Sequence, residues 1–284
     1  MLKLQNIKKT YGSTTILNNI NFDMNNGDII GLIGKNGAGK TTLMKLIAKM
    51  QRPSEGTISY NNQDIHINEN ILTDFGFMIN QVYFPNYSAR QNLEFYLKVN
   101  NQNQYLDKIS DILTFVALED NKKKVKDYSF GMKQRLCLAM CLITEPKIAV
   151  LDEPFVGLDP VGIDQLIQLL QQYAAKYQSI FLISSHQINE LKQICNRYLF
   201  LNNGEIKELK STQFENRQLL TYTNPIKDMQ SIKQQFDFIK HIDGNTIEII
   251  DQEDNLKLIQ NYIGNDNTLL NIKNIEADYI SLFK

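Results

Sequence analysis

The chain has 284 residues, 43% of them apolar, with 30 Lys and Arg set against 31 Asp and Glu. That is enough apolar material for one large or two modest cores, and it lacks the basic surplus by which nucleic-acid-binding domains hold phosphate backbones, so no nucleic acid partner is expected. Three cysteines (Cys137, Cys141, Cys195) and three histidines, none at ligand spacing, argue against a disulfide framework and against a zinc site.

Along the chain, "LKLQNIKKTY" and "TTILNNINFDM" alternate as strands, and "DIIGLIG" is an apolar strand that ends in a glycine-rich loop before the helix "KTTLMKLIAKM". The opening residues read as strand and not as signal peptide, and no run approaches the roughly 18 apolar residues of a membrane crossing. A cytoplasmic chain is therefore expected, with the Asn86-Tyr87-Ser88 sequon unglycosylated. "GTISYNNQDI" reads as strand and turn. From about 88 to 145 the period turns helical, in "ARQNLEFYLKVN", "QYLDKISDILTFVAL" and "KVKDYSFGMKQRLCLAM", with the lysines at 122–124 on a solvated loop. Strands return at "KIAVL" and "SIFLIS" around the helix "IDQLIQLLQQYAAKY", an order that specifies a parallel α/β sheet. "YLFLNNGEIKEL" is a hairpin on Asn203-Gly204. Beyond about 215 we expect strand "LLTYT", helix "PIKDMQSIKQQF", a hairpin around Asp243-Gly244 from "FIKHI" and "TIEIID", helix "EDNLKLIQNYI" and strand "LLNIK". That β-α-β-β-α-β order is that of a small ferredoxin-like appendage.

Two segments carry phosphate chemistry. Gly34-Lys35-Asn36-Gly37-Ala38-Gly39-Lys40-Thr41, followed by Thr42, is a complete G-x-x-x-x-G-K-T between an apolar strand and a helix. Its backbone amides and the helix N-terminus suit phosphate oxygens, Lys40 neutralises them, and the Thr41 hydroxyl suits magnesium. "KIAVLDEP" ends a second apolar strand with Asp152, suited to the metal shell, and Glu153, suited to orienting or deprotonating a water. Together they specify a P-loop nucleotide triphosphatase that uses Mg2+, but not which one.

Ser129, just before a helical run, is open to two readings: an ordinary N-cap, or part of a second phosphate receptor at a helix N-terminus. It lies about 23 residues before Asp152, and Tyr128-Ser129-Phe130-Gly131-Met132 resembles the Leu-Ser-Gly-Gly-Gln signature of the ATP-binding cassette family. Three of five positions depart, while Ser129 and Gly131 are kept. The resemblance implies that these two contact the γ-phosphate held by a second subunit. Phe130 is read as filling space between the signature helix and its neighbours, so that catalysis should tolerate its loss. By the same resemblance Tyr11 is the aromatic that stacks on adenine, Asp159 in "VGLDP" reaches across the dimer, and His186 in "LISSHQINE" is the switch histidine. Gln81 in "NQVYFP" is the Q-loop glutamine and a metal contact, although counting from Pro85 instead would place Ile79 there.

The resemblance implies an ATP-binding cassette over 1–212, with parallel core sheet, antiparallel β subdomain and helical subdomain at about 82–145, and a small α+β domain over 213–284. It implies catalytic roles for Lys40, Glu153 and His186, a homodimer formed on ATP, and a separate membrane permease that would hold the chain at the inner face of the membrane. "SFGMKQRL", "FPNYSARQNL" and "IEADYISLFK" most resemble the bacitracin and lantibiotic resistance group, and "VYFPNYSAR" is the expected permease-docking surface. Two rivals are weighed: a cassette acting on ribosomes or DNA, against which stands the single cassette without sustained heptads, and a non-hydrolysing regulator, against which stand Glu153 and His186.

Overall fold

A computed structural model describes residues 1–68, 70–186, 188–210, 216–251, 254–264 and 267–275. It divides into two compact units, Met1–Leu209 and Lys210–Lys284.

In the first unit the elements run β1 (Leu2–Tyr11), β2 (Thr14–Met24), β3 (Ile29–Ile33), α1 (Lys40–Ile47), β4 (Glu55–Tyr60), β5 (Gln63–Asp64) and β6 (Phe75–Met78). They continue with α2 (Ala89–Val99), α3 (Ile109–Phe115), α4 (Phe130–Leu142), β7 (Ile148–Leu151), α5 (Pro160–Tyr177), β8 (Ile180–Ser185), α6 (Ile188–Ile194), β9 (Arg197–Asn202) and β10 (Glu205–Leu209). One sheet, in the order β2-β1-β4-β5, is antiparallel. The other follows β10-β9-β3-β8-β7-β6, parallel throughout except for β10, which closes the Asn203-Gly204 hairpin.

The sequence dictates this division. β7 and β8 are buried along their whole length and β3 nearly so, as near-continuous apolar runs must be in a parallel sheet covered on both faces. β1 and β2 carry mixed patterns, and their inward residues Leu2, Leu4, Ile7, Leu17 and Ile20 join α1 and the inner strands in one core. The register of β3 against β8 and of β8 against β7 brings the loops after β3, β7 and β8 to one sheet edge, the crevice at carboxyl strand ends where α/β sheets bind ligands.

β6 was not anticipated from the sequence: "FGFM" is four residues long and shows no alternation. The helix expected over 104–118 is a 3-10 turn at Asn103–Lys108 followed by α3.

The second unit holds β11 (Arg217–Tyr222), α7 (Met229–Gln235), β12 (Ile239–Asp243), β13 (Thr246–Ile250), α8 (Asn255–Ile263) and β14 (Leu269–Ile275), with an antiparallel sheet ordered β12-β13-β11-β14. Its core is formed by Leu220, Tyr222, Ile232, Ile247, Ile249 and Ile259 among others. α7 starts later than the helix expected from 225, because Asp228 takes a left-handed conformation, φ 54°, that no helix interior accepts. The hairpin loop is Gly244-Asn245, one residue beyond the expected turn, since Asp243 already pairs with Thr246.

Candidate active site

β3 delivers the phosphate loop and α1 leaves it. Gly39, the residue before α1, has φ 106° and offers no capping side chain, so the first-turn amides are left without a side-chain cap. An L-residue is strained at that φ, which explains the glycine. A helix start of this kind attracts an anion through free N–H groups and the helix dipole. Lys40 is 5% exposed, and its ammonium donates to the carbonyls of Gly34 at 2.7 Å and Lys35 at 3.4 Å. Its charge is thereby held over the loop.

β7 delivers the carboxylates. Asp152 accepts from Thr41 Oγ1 through Oδ2 at 2.7 Å and from Ser184 Oγ through Oδ1 at 2.6 Å. The backbone N–H of Glu153 donates to the same Ser184 hydroxyl at 2.8 Å. Ser184 is fully buried at the end of β8 and was missed in reading the sequence. The available signal was two serines closing an otherwise apolar strand one step before His186, where a buried hydroxyl needs a polar partner.

Glu153 has φ 49°, a left-handed position that costs a non-glycine residue about 1–2 kcal/mol. Its Oε1 lies 3.2 Å from Lys40 Nζ and its Oε2 2.9 Å from His186 Nδ1. Strain held by such contacts aims the carboxylate into the cleft. That cleft, of about 350 Å3, is lined by Asn36, Met78, Asn80, Gln81, Phe130, Gln134, Asp152, Glu153, Val156 and His186. Lys40 and His186 thus contact Glu153, Thr41 contacts Asp152, the Ser184 hydroxyl links the two groups, and Gln81 opens onto the same cleft. Ile79 is buried in the core.

Other residues singled out from the sequence lie at different positions. Tyr11 ends β1 and is 46% exposed, with Lys9 Nζ 5.0 Å from the ring centroid and its hydroxyl donating to Gln51. Ser129 caps α4, accepting from Met132 N at a long 3.3 Å, and is exposed; Gly131 follows on the same first turn. Asp159 caps α5, accepting from Gly162 N at 2.8 Å. Phe130 stands between the first turn of α4 and the loop at Gly157, and the residue is 42% exposed.

The donor set fits a nucleotide phosphate with a hard cation. One buried ammonium and a glycine-rich helix start suit the anion, and two oxygen donors, Thr41 Oγ1 and Asp152, stand together beside them. Among the described residues no cluster of three or more His, Cys, Asp or Glu could hold a metal alone. Such a site suits an ion that brings phosphate and water oxygens with it.

Residues 17–156 match the family model described as ABC transporter. The chain is 36% identical over 208 residues to the lantibiotic transport ATP-binding protein SrtF of Streptococcus pyogenes, covering 72% of this chain and 89% of that protein. It is 34% identical over 211 residues to the bacitracin transport ATP-binding protein BcrA of Enterococcus faecalis, covering 73% and 68%. Among solved structures, the dimeric post-hydrolysis state of the ATP-binding cassette MJ0796 bound to ADP and Pi superimposes with a TM-score of 0.67 at 26% identity, covering 74% of this chain and 98% of that one. A cassette acting on ribosomes or DNA finds no support in these matches. The strand-end cleft, its lysine and paired carboxylates, and these likenesses lead to one conclusion: the chain belongs to the ABC transporter family, as an ATP-binding subunit that hydrolyses ATP.

Proposed function

We propose that two copies of this chain close head to tail over two ATP molecules and drive a separate membrane permease that exports, or removes from the membrane, antimicrobial peptides. The identity to a lantibiotic transport ATP-binding protein over 89% of its length carries this reading. Dimeric cassettes among the structural neighbours support the pairing. Among the described residues no helix is long and apolar enough to cross a membrane.

In this reading Tyr11 offers a ring face to adenine, the amides of 34–42 and Lys40 bind the phosphates, and Thr41, Asp152 and Gln81 hold magnesium. The ion supplies Lewis-acid neutralisation of phosphate oxygens. Glu153 takes or orients the proton of the attacking water, with His186 fixing the other carboxylate oxygen and sensing the γ-phosphate. Ser129 and Gly131 complete the site of the opposite copy, whose Asp159 reaches back across the contact.

The permease surface is Val82 to Arg90. Val82 is exposed, and Phe84, Tyr87 and Phe95 form an exposed aromatic cluster with centroids 4.6–6.3 Å apart. Exposed aromatics grouped in this way mark interaction sites. Tagged chain expressed in its host should co-purify from membranes with a multi-spanning protein. Replacing Tyr83 and Phe84 by Ser should reduce that recovery and uncouple transport while basal ATP turnover stays within about twofold. Transport that survives the double replacement would show these rings to be ordinary packing.

A further inference from the structure

Phe130 departs from the family signature, and its contacts are specific. A methyl group placed on Gly157 would lie 2.5 Å from Phe130 Cε1, 2.8 Å from Cδ1 and 3.1 Å from Cζ, so the ring occupies the space a side chain at 157 would need. Gly157 has φ 76°, the left-handed region. The fit is therefore double: the loop's conformation favours glycine, and the ring tolerates nothing larger. Two further contacts tie the same pieces together. Gln134 Nε2 donates to the carbonyl of Val156 at 3.3 Å, and Gly131 approaches Leu158, whose Cδ2 would lie 3.3 Å from an added methyl group.

Burial accounts for the ring only in part, since 42% of Phe130 stays exposed at a helix position that accepts almost any residue. What it achieves is a steric link between the first turn of α4, which carries Ser129 and Gly131, and the loop 156–159, which ends in Asp159. That link stands at the rim of the cleft lined by Glu153 and His186.

We infer that Phe130 is a positioning residue that locks the start of α4 to the 156–159 loop, so that Ser129 and Asp159 reach the partner cassette as one rigid piece. The inference rests on the proposed head-to-tail dimer. The ring's close contact is with the 156–159 loop and not with Lys40 or Thr41, whose partners are Gly34, Lys35, Glu153 and Asp152, so the lock should act on turnover and on ATP-driven pairing and leave nucleotide affinity of the single chain alone.

The test compares Phe130→Ala, Phe130→Leu, Gly157→Ala and the double variant Phe130→Ala/Gly157→Ala in the full chain. Melting temperature, ATP affinity, ATP-driven dimerisation and kcat are read for each. Against the tolerance expected from the sequence, Phe130→Ala should lower kcat about 10-fold with nucleotide affinity within about twofold, and Phe130→Leu should recover at least half of the loss. Gly157→Ala should also be slow, because its methyl pushes the ring off its seat. In the double variant the collision is gone and only the backbone strain of alanine at φ 76° remains, so its loss should fall short of the product of the two single losses that independent effects would give. Phe130→Ala turning over within twofold of wild type, or losses that multiply in the double variant, would overturn the inference. Should Phe130→Ala fail to fold, Gly157→Ala carries the test with the ring present, and wild-type turnover there would overturn it equally. Wild-type chain that hydrolyses ATP without ever pairing would sink the dimer reading itself, a result separable from any effect at residue 130.

Discussion

In the proposed mechanism Glu153 is the residue on which the chemistry turns, because its backbone strain and its two contacts, with Lys40 and His186, converge on one carboxylate. Glu153→Gln keeps the shape and removes the base. Turnover should fall by roughly 10² or more while ATP still binds, trapping a nucleotide-bound pair that gel filtration detects. Hydrolysis at the full rate would assign the water to another group. The strand-end position of Asp152 and Glu153 was legible because an apolar run that stops at two acids beside a phosphate loop has few other uses. Ser184 was not: serine at a strand end is common, and only the fold brings its hydroxyl between Asp152 and the Glu153 amide.

At the scale of elements, the first turn of α4 separates two roles for one hydroxyl. As a cap, Ser129 is weak: its 3.3 Å contact is at the long end of hydrogen bonding, whereas Asp159 caps α5 at 2.8 Å. Ser129→Ala should therefore cost at most about 1 kcal/mol of stability. A lost phosphate contact should instead slow hydrolysis by about 10-fold to 10³-fold with the melting temperature nearly unchanged. A lowered melting temperature with normal turnover would make the residue a cap and nothing more. Elements with a long period were readable in advance, as α5 and the β3-to-α1 passage were. β6 was hidden by its brevity, and the start of α7 by Asp228, whose left-handed backbone leaves no trace in periodicity.

For the whole molecule, the core that shapes the cleft also protects its thiols. Cys137, Cys141 and Cys195 are buried, and burial pushes the Cys137 thiol up to about 11 and raises the other two further. Because the reactive species is the thiolate, a raised pKa leaves almost none at pH 8. Native chain should resist alkylation there, and denatured chain should take up label at all three positions; rapid labelling of native chain, read by mass spectrometry, would contradict this burial. The central claim is that a working site is shared between two copies. Mixing Ser129→Ala chains with Lys40→Ala chains tests it most directly, each variant being nearly inactive by itself. If sites are shared, both lesions fall in one site of each mixed dimer and the other site is intact. Half of the dimers being mixed, ATP turnover should recover to about a quarter of wild type. If Ser129 serves its own chain, every site carries a lesion, and a mixture no more active than the average of its two components would contradict the account.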